Sequence, residues 1–258
     1  MKKFRLLFLF ALPLAFASCT DTREELEIKS NGSGTLVMKS DVSKLLDIVK
    51  SFAGENDLSK DGLDRAYDTT LLMKDYVDTA KDVPADKKEL LRNGKVHVVM
   101  NVKESIGRFD MSFPFTSADK LQQLYASLGS SDGGLKNLFG GMKGMGQQGA
   151  DQSGGGDKNM PQIASAYDIV VKDGLYSRKV NKERYEAFAA AMKLDQMKQM
   201  SGMLGDMDYT LAIKLPRPVK KVSNSKATLS EDKKTVTLKT DLMQTFEQPE
   251  LLALDIEY

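Results

Sequence analysis

The sequence predicts an α+β fold: an antiparallel sheet with helices packed on one face, built as two similar halves joined by a disordered Gly-rich loop. Three observations carry this. Phe109, Met111, Phe113 and Phe115 recur in strict period two, the spacing of a half-buried strand. Val42, Leu45, Leu46, Val49 and Phe52 recur at i, i+3, i+4, i+7, the stripe of an amphipathic helix. Gly-containing turns link neighbouring strand-like runs, which is a hairpin signal.

Taken in order, residues 26–38 read as extended. Leu26 and Ile28 alternate with charged neighbours, Asn31-Gly32-Ser33-Gly34 interrupts, and Leu36-Val37-Met38 resumes. Ser40-Asp41 is an N-cap candidate for the helix carrying Val42 to Phe52. A polar stretch from Gly54 to Asp68 leads to a second helical pattern at Leu71, Leu72, Asp75, Tyr76 and Ala80. Residues 96–102 and 109–115 form a predicted hairpin about Glu104 to Gly107. Pro114 belongs at an edge or a strand end, because it has no N–H for the ladder. Ser117 caps the next helix, with Leu121, Leu124, Tyr125 and Leu128 on its apolar side.

Residues 129–161 differ in kind. Their glycines cannot repay backbone entropy by packing, so the stretch is expected to be a disordered Gly/Met-rich loop. Strands resume at 167–171 and 175–180, joined at Asp173-Gly174. Asn181 caps a helix expected to run to about Met200. Strands at 209–215, 235–240 and 251–258 complete the chain. The expected organisation is therefore a first half over 26–128 and a second over 162–258.

The chain opens with Lys2, Lys3 and Arg5, then an apolar run from Leu6 to Ala17, then its only cysteine, Cys19. That order is the layout of a secretory signal peptide, here residues 1–18. The run is shorter than the roughly 20 apolar residues that span a bilayer. Phe16-Ala17-Ser18-Cys19 resembles the lipobox of bacterial lipoproteins, with Phe16 where leucine is usual. The resemblance implies a diacylglyceryl group on the Cys19 thiol. Ala15-Phe16-Ala17 also fits ordinary signal peptidase, but that cut would leave an unpaired thiol near the new end. Residues 19–25 read as a polar tether, and the acidic residues soon after the cysteine resemble the surface-export signal of Bacteroidetes lipoproteins.

The sequence carries 37 basic and 36 acidic residues, and removal of 1–18 takes three of the basic ones. No positive excess remains to hold nucleic acid. A single cysteine allows no internal disulfide, so the core alone must hold the fold.

Residues 209–238 show a strand ending in Leu215-Pro216, an extended arm, a turn at Ser223-Asn224, and a strand pair turning at Glu231-Asp232-Lys233. This segment resembles the LppM-type domain of bacterial lipoproteins, with Leu238 in place of the aromatic that often closes the last strand. The resemblance implies an envelope lipoprotein with an α+β domain and brings no catalytic residue.

Candidate chemistry is sparse. Gly129-Ser130-Ser131-Asp132-Gly133 has the letters of a nucleophile elbow, but a helix precedes it where the elbow needs a strand. His97, the only histidine, alternates with Val96 and Val98 and reads as a sheet-face side chain. One His and one acylated Cys cannot build the usual zinc ligand set. Met197, Met200, Met203 and Met207 lie three or four residues apart. Thioethers can bind Cu(I), yet a Met stripe is more commonly an adaptable packing face. Asp68-Thr69-Thr70 and Asp78-Thr79-Ala80 resemble the O-glycosylation sequon of Bacteroidetes envelope proteins, which makes Thr69 and Thr79 candidate acceptors.

These readings converge on a lipid-anchored, non-enzymatic protein of the cell envelope, at the outer membrane. Its partners are the membrane, through the lipid on Cys19, and an envelope protein or an amphiphile bound by the body. No cofactor is implied. The alternative is a methionine-based Cu(I)-sequestering envelope lipoprotein.

Overall fold

A computed structural model describes residues 21–52, 66–80, 83–129, 163–192, 194 and 205–258. The fold is α+β, as expected. The strands are β1 (Asp21–Ile28), β2 (Gly34–Asp41), β3 (Tyr67–Leu72), β4 (Lys95–Asn101), β5 (Ile106–Phe115), β6 (Tyr167–Lys172), β7 (Leu175–Val180), β8 (Asp208–Lys214), β9 (Lys221–Val222), β10 (Thr228–Leu229), β11 (Thr235–Asp241) and β12 (Leu254–Glu257). The helices are α1 (Ser43–Phe52), α2 (Met73–Val77), α3 (Ala85–Leu91), α4 (Ala118–Gly129), α5 (Lys182–Ala191) and α6 (Leu242–Glu247). Short 3₁₀ turns occupy Ile163–Ala166 and Pro249–Leu252.

Two sheets share one core. The larger has the order β10-β11-β8-β1-β2-β5-β4-β3, and the smaller β6-β7-β12-β9. Strand pairs are antiparallel except β1·β8, which run parallel from Asp21↔Asp208 to Glu27↔Lys214. The expected division into two similar halves does not take the form of two sheets. β8, β10 and β11 continue the sheet of β1 to β5 instead. β1 is paired along both edges, by β2 on one side and by β8 on the other.

The inner face of the large sheet follows period two: Leu26 and Ile28 on β1, Leu36 and Met38 on β2, Val96 and Val98 on β4, Met111 and Phe113 on β5 are all buried. α4 packs Leu121, Leu124, Tyr125 and Leu128 into this core, together with the inward side chains of the small sheet. Gly107 sits where α1 crosses β5. A Cβ there would lie 2.9 Å from the side chains of both Val42 and Leu46, which would have to shift to admit it.

Several local expectations hold. The β4–β5 hairpin turns at residues 102–105, with Ser105 at φ 54°. Pro114 faces only β2, because the β4 ladder ends opposite Ser112. Ser117 Oγ accepts from Lys120 N at 3.4 Å and Asn181 Oδ1 from Arg184 N at 3.0 Å, so both caps are in place. Gly174 takes φ 77° in the β6–β7 turn.

Others need correction. Residues 21–25 of the expected tether are the first part of β1. Arg23 and Glu25 sit on the solvent face, Glu24 points inward, and Asp21 keeps Oδ1 buried without a hydrogen bond. The helical pattern at Leu71 to Ala80 begins as β3, an edge strand paired with β4, and turns helical only from Met73. The final strand starts at Leu254, because Pro249 and its neighbours form a 3₁₀ turn. α6 was not anticipated; Asp241 caps it, its Oδ1 accepting from Gln244 N at 2.7 Å. Residues 1–20, the Gly-rich stretch beyond Gly129, the nucleophile-elbow letters after it, and 195–204 lie outside the described residues. Among the described residues no helix is long and apolar enough to cross a membrane.

Candidate functional site

The densest polar chemistry among the described residues is inside the molecule, between the two sheets. Glu24 occupies an inward position of β1, opposite Met38 on β2 and Leu211 on β8. Its side chain is 2% exposed. Arg178 comes from β7, opposite Ile169 and Leu254, and is fully buried. Arg178 Nη1 donates to Glu24 Oε1 at 2.7 Å. Tyr125, from α4, donates its hydroxyl to the same oxygen, and Tyr209, from β8, donates to Oε2. The guanidinium lies 4.1 Å from the centre of the Tyr167 ring, a cation–π distance.

The arrangement follows from strand phase. Glu24, Leu26 and Ile28 share one face of β1, so a carboxylate stands at the head of an apolar row. Tyr209 is in phase with Leu211 on β8, and Tyr176 with Arg178 on β7. Bringing an ion pair into an apolar interior is costly unless further hydrogen bonds satisfy the charges. Here two phenols complete the carboxylate. The guanidinium is less well served: its Nε and Nη2, and the neighbouring Tyr176 hydroxyl, lack a hydrogen bond of acceptable geometry.

The electrostatics fit a sealed cluster. Burial, reinforced by the Glu24 charge, pushes the Tyr125 and Tyr209 hydroxyls well above the usual phenol range. Burial also raises Tyr167 and Tyr176, and the Arg178 charge offsets part of that rise. For Arg178 burial acts downward, but Glu24 and the surrounding phenols outweigh it and hold the guanidinium charged. An acid or base that works on a substrate must lie within hydrogen-bond reach of it. The donors of Arg178, Tyr125 and Tyr209 are directed at Glu24, while Tyr167 donates to Pro249 O at 2.7 Å.

The solvent face of the large sheet carries the exposed charge. Lys214 pairs with Glu27 at 2.8 Å, Lys239 with Asp208 at 2.7 Å, and Lys39 with Glu25 at 3.6 Å. His97 lies on this face, as its alternation implies, with Nε2 2.9 Å from Asp68 Oδ1 across the β3–β4 ladder. Exposed pairs of this kind contribute little to stability, because solvent screens them. Both signs are interspersed, so no single-sign field builds up.

Of the candidates named from sequence, Thr69, Thr79 and Met207 are among the described residues. Thr69 is half-buried on edge strand β3. Thr79 is exposed, and its hydroxyl donates to Asp75 O at 3.2 Å and Tyr76 O at 3.0 Å, closing the end of α2. Met207 is half-buried against the core, and its carbonyl accepts from Leu242 N at 2.6 Å. Cys19, Met197, Met200 and Met203 lie outside the described residues. Among the described residues no group of three or more His, Cys, Asp or Glu is placed to hold a metal.

Glu24, Arg178, Tyr125 and Tyr209 were not singled out from sequence. The available signal was phase: Glu24 stands two residues before Leu26 in the same alternation. Nothing local pairs it with a residue 154 positions away.

Comparison with family models, with curated proteins and with solved structures returned no match.

Proposed function

We propose that this protein is a lipid-anchored, non-enzymatic component of the cell envelope, at the outer membrane, whose α+β body engages a partner protein or an amphiphile. The observation that carries the reading is Cys19. This lone cysteine follows a charged start, an apolar run and small residues in the order of a lipoprotein signal. A diacylglyceryl group together with an amide-linked chain supplies more than one acyl tail, which stable anchoring requires. The fold is compatible with this placement. β1 begins at Asp21, so a single residue separates the acylated position from the sheet. The non-enzymatic reading is supported by the burial of Glu24, whose carboxylate is taken up by Arg178, Tyr125 and Tyr209.

The test is to express wild type and Cys19→Ala in a bacterial host with an alkyne fatty-acid probe. Wild type is expected to label and to fractionate with membranes. The variant is expected to lose the label and either leave the membrane or persist as uncleaved precursor. An unlabelled wild type, or an unlabelled variant that is processed to mature size and still fractionates with membranes, overturns the anchor.

A further inference from the structure

We propose that Glu24 and Arg178, with Tyr125 and Tyr209, form a polar lock that selects one placement of the four-stranded sheet over the eight-stranded sheet. Glu24 belongs to β1 of the large sheet and Arg178 to β7 of the small one, and they meet at 2.7 Å. Around them the layer between the sheets is apolar: Leu26, Leu36, Leu211, Leu252 and Ile256 are each at most 1% exposed. Apolar burial is non-directional, so such a layer tolerates sliding with little change in buried area. The ion pair does not. Any shift of β7 by one inward-facing position would leave two uncompensated charges in a dry interior, which is strongly unfavourable.

The two phenols make the lock specific in a second direction. Tyr125 comes from α4, and Tyr209 from β8, beside β1. Each spends its hydroxyl on a different oxygen of the same carboxylate, so helix, both sheets and the Glu24 rotamer are fixed together. Tyr167 covers the guanidinium face from β6, the next strand of the small sheet. A buried polar group that fixes register at some cost in stability is the best-attested use of such groups.

The experiment compares the full wild-type chain with Glu24→Leu/Arg178→Met, which fills the site with apolar side chains, by urea unfolding and by amide hydrogen exchange read strand by strand. The double variant is expected to match or exceed wild type in urea midpoint. Its amides in β6, β7 and β12 are expected to exchange about tenfold faster or more, while β2, β4 and β5 are unchanged. Wild-type exchange in the small sheet of a folded double variant overturns the proposal and leaves the pair as a stability element only. Should that variant not fold, Tyr125→Phe/Tyr209→Phe decides. It keeps both charges and removes only the phenol bonds. A rise in exchange larger in the small sheet and α4 than in the large sheet supports the lock, whereas an equal rise across both sheets, or no change, overturns it.

Discussion

Glu24 and Arg178 stand 154 residues apart in the chain and 2.7 Å apart in the fold. Neither has access to water, and the carboxylate holds two tyrosine hydroxyls in addition. This contact ties the strand at the middle of the large sheet to a strand of the small one.

Removing either phenol leaves one carboxylate oxygen short of a donor inside the core. Tyr209→Phe is expected to cost about 1–3 kcal/mol, because a buried acceptor loses its partner. Tyr125→Phe strips Oε1 of one of two donors and costs less, about 1 kcal/mol. The double variant should depart from additivity by 0.5 kcal/mol or more in magnitude, since both act on one side chain. Urea midpoints of the three variants measure this, and strict additivity would mean that the two hydroxyls do not share Glu24.

Alkaline pH should unfold the protein through the same groups. Tyr125, Tyr167, Tyr176 and Tyr209 are all held neutral above the ordinary phenol value near 10. Above that pH the unfolded chain loses phenolic protons that the folded chain retains, so the folded state binds more protons and stability falls. The stabilisation is complete below about pH 10 and decays as pH rises toward the folded values. Each buried phenol contributes up to about 1.4 kcal/mol per pH unit in that window. Urea midpoints between pH 9 and 12 should fall, and more shallowly in Tyr125→Phe/Tyr209→Phe. Equal slopes would show that these hydroxyls ionise in place.

Gly34 opens β2 between Ile28 of β1 and Phe115 of β5. A Cβ at this position would overlap the Glu27 carbonyl oxygen and the Phe115 ring. The ring can rotate away, but the backbone oxygen belongs to a strand paired on both edges. Gly34→Ala is therefore expected to lose about 1–3 kcal/mol despite alanine's lower backbone entropy. A melting temperature equal to wild type would show that β1 and β2 can separate at this end.

The α+β class was legible because period-two and period-3.6 patterns are local properties. The β4–β5 hairpin, the α4 stripe and the Asn181 cap could each be read from a short run of neighbouring residues. What escaped was governed by distant partners. Arg23, Glu24 and Glu25 have the composition of a solvated linker, and only pairing with β2 and β8 turns them into strand. Leu71 and Leu72 sit at a strand-to-helix junction, where a short apolar pair fits either period. The Glu24–Arg178 contact follows from the stacking of two sheets, which no spacing within the sequence encodes.

The parallel ladder between β1 and β8 has a consequence for how the chain matures. β2 follows β1 immediately, but Asp21 meets Asp208 only after most of the polypeptide is available. Pairings of such long sequence separation are slow to form. If β1 to β5 assemble first, β1 is the outermost strand, with its unpaired amides and carbonyls open to any other extended chain. During synthesis that interval lasts until β8 emerges. A factor that shields nascent chains would act at this edge, and truncations lacking β8 should be captured by it or aggregate, even though every residue of the first five strands is present.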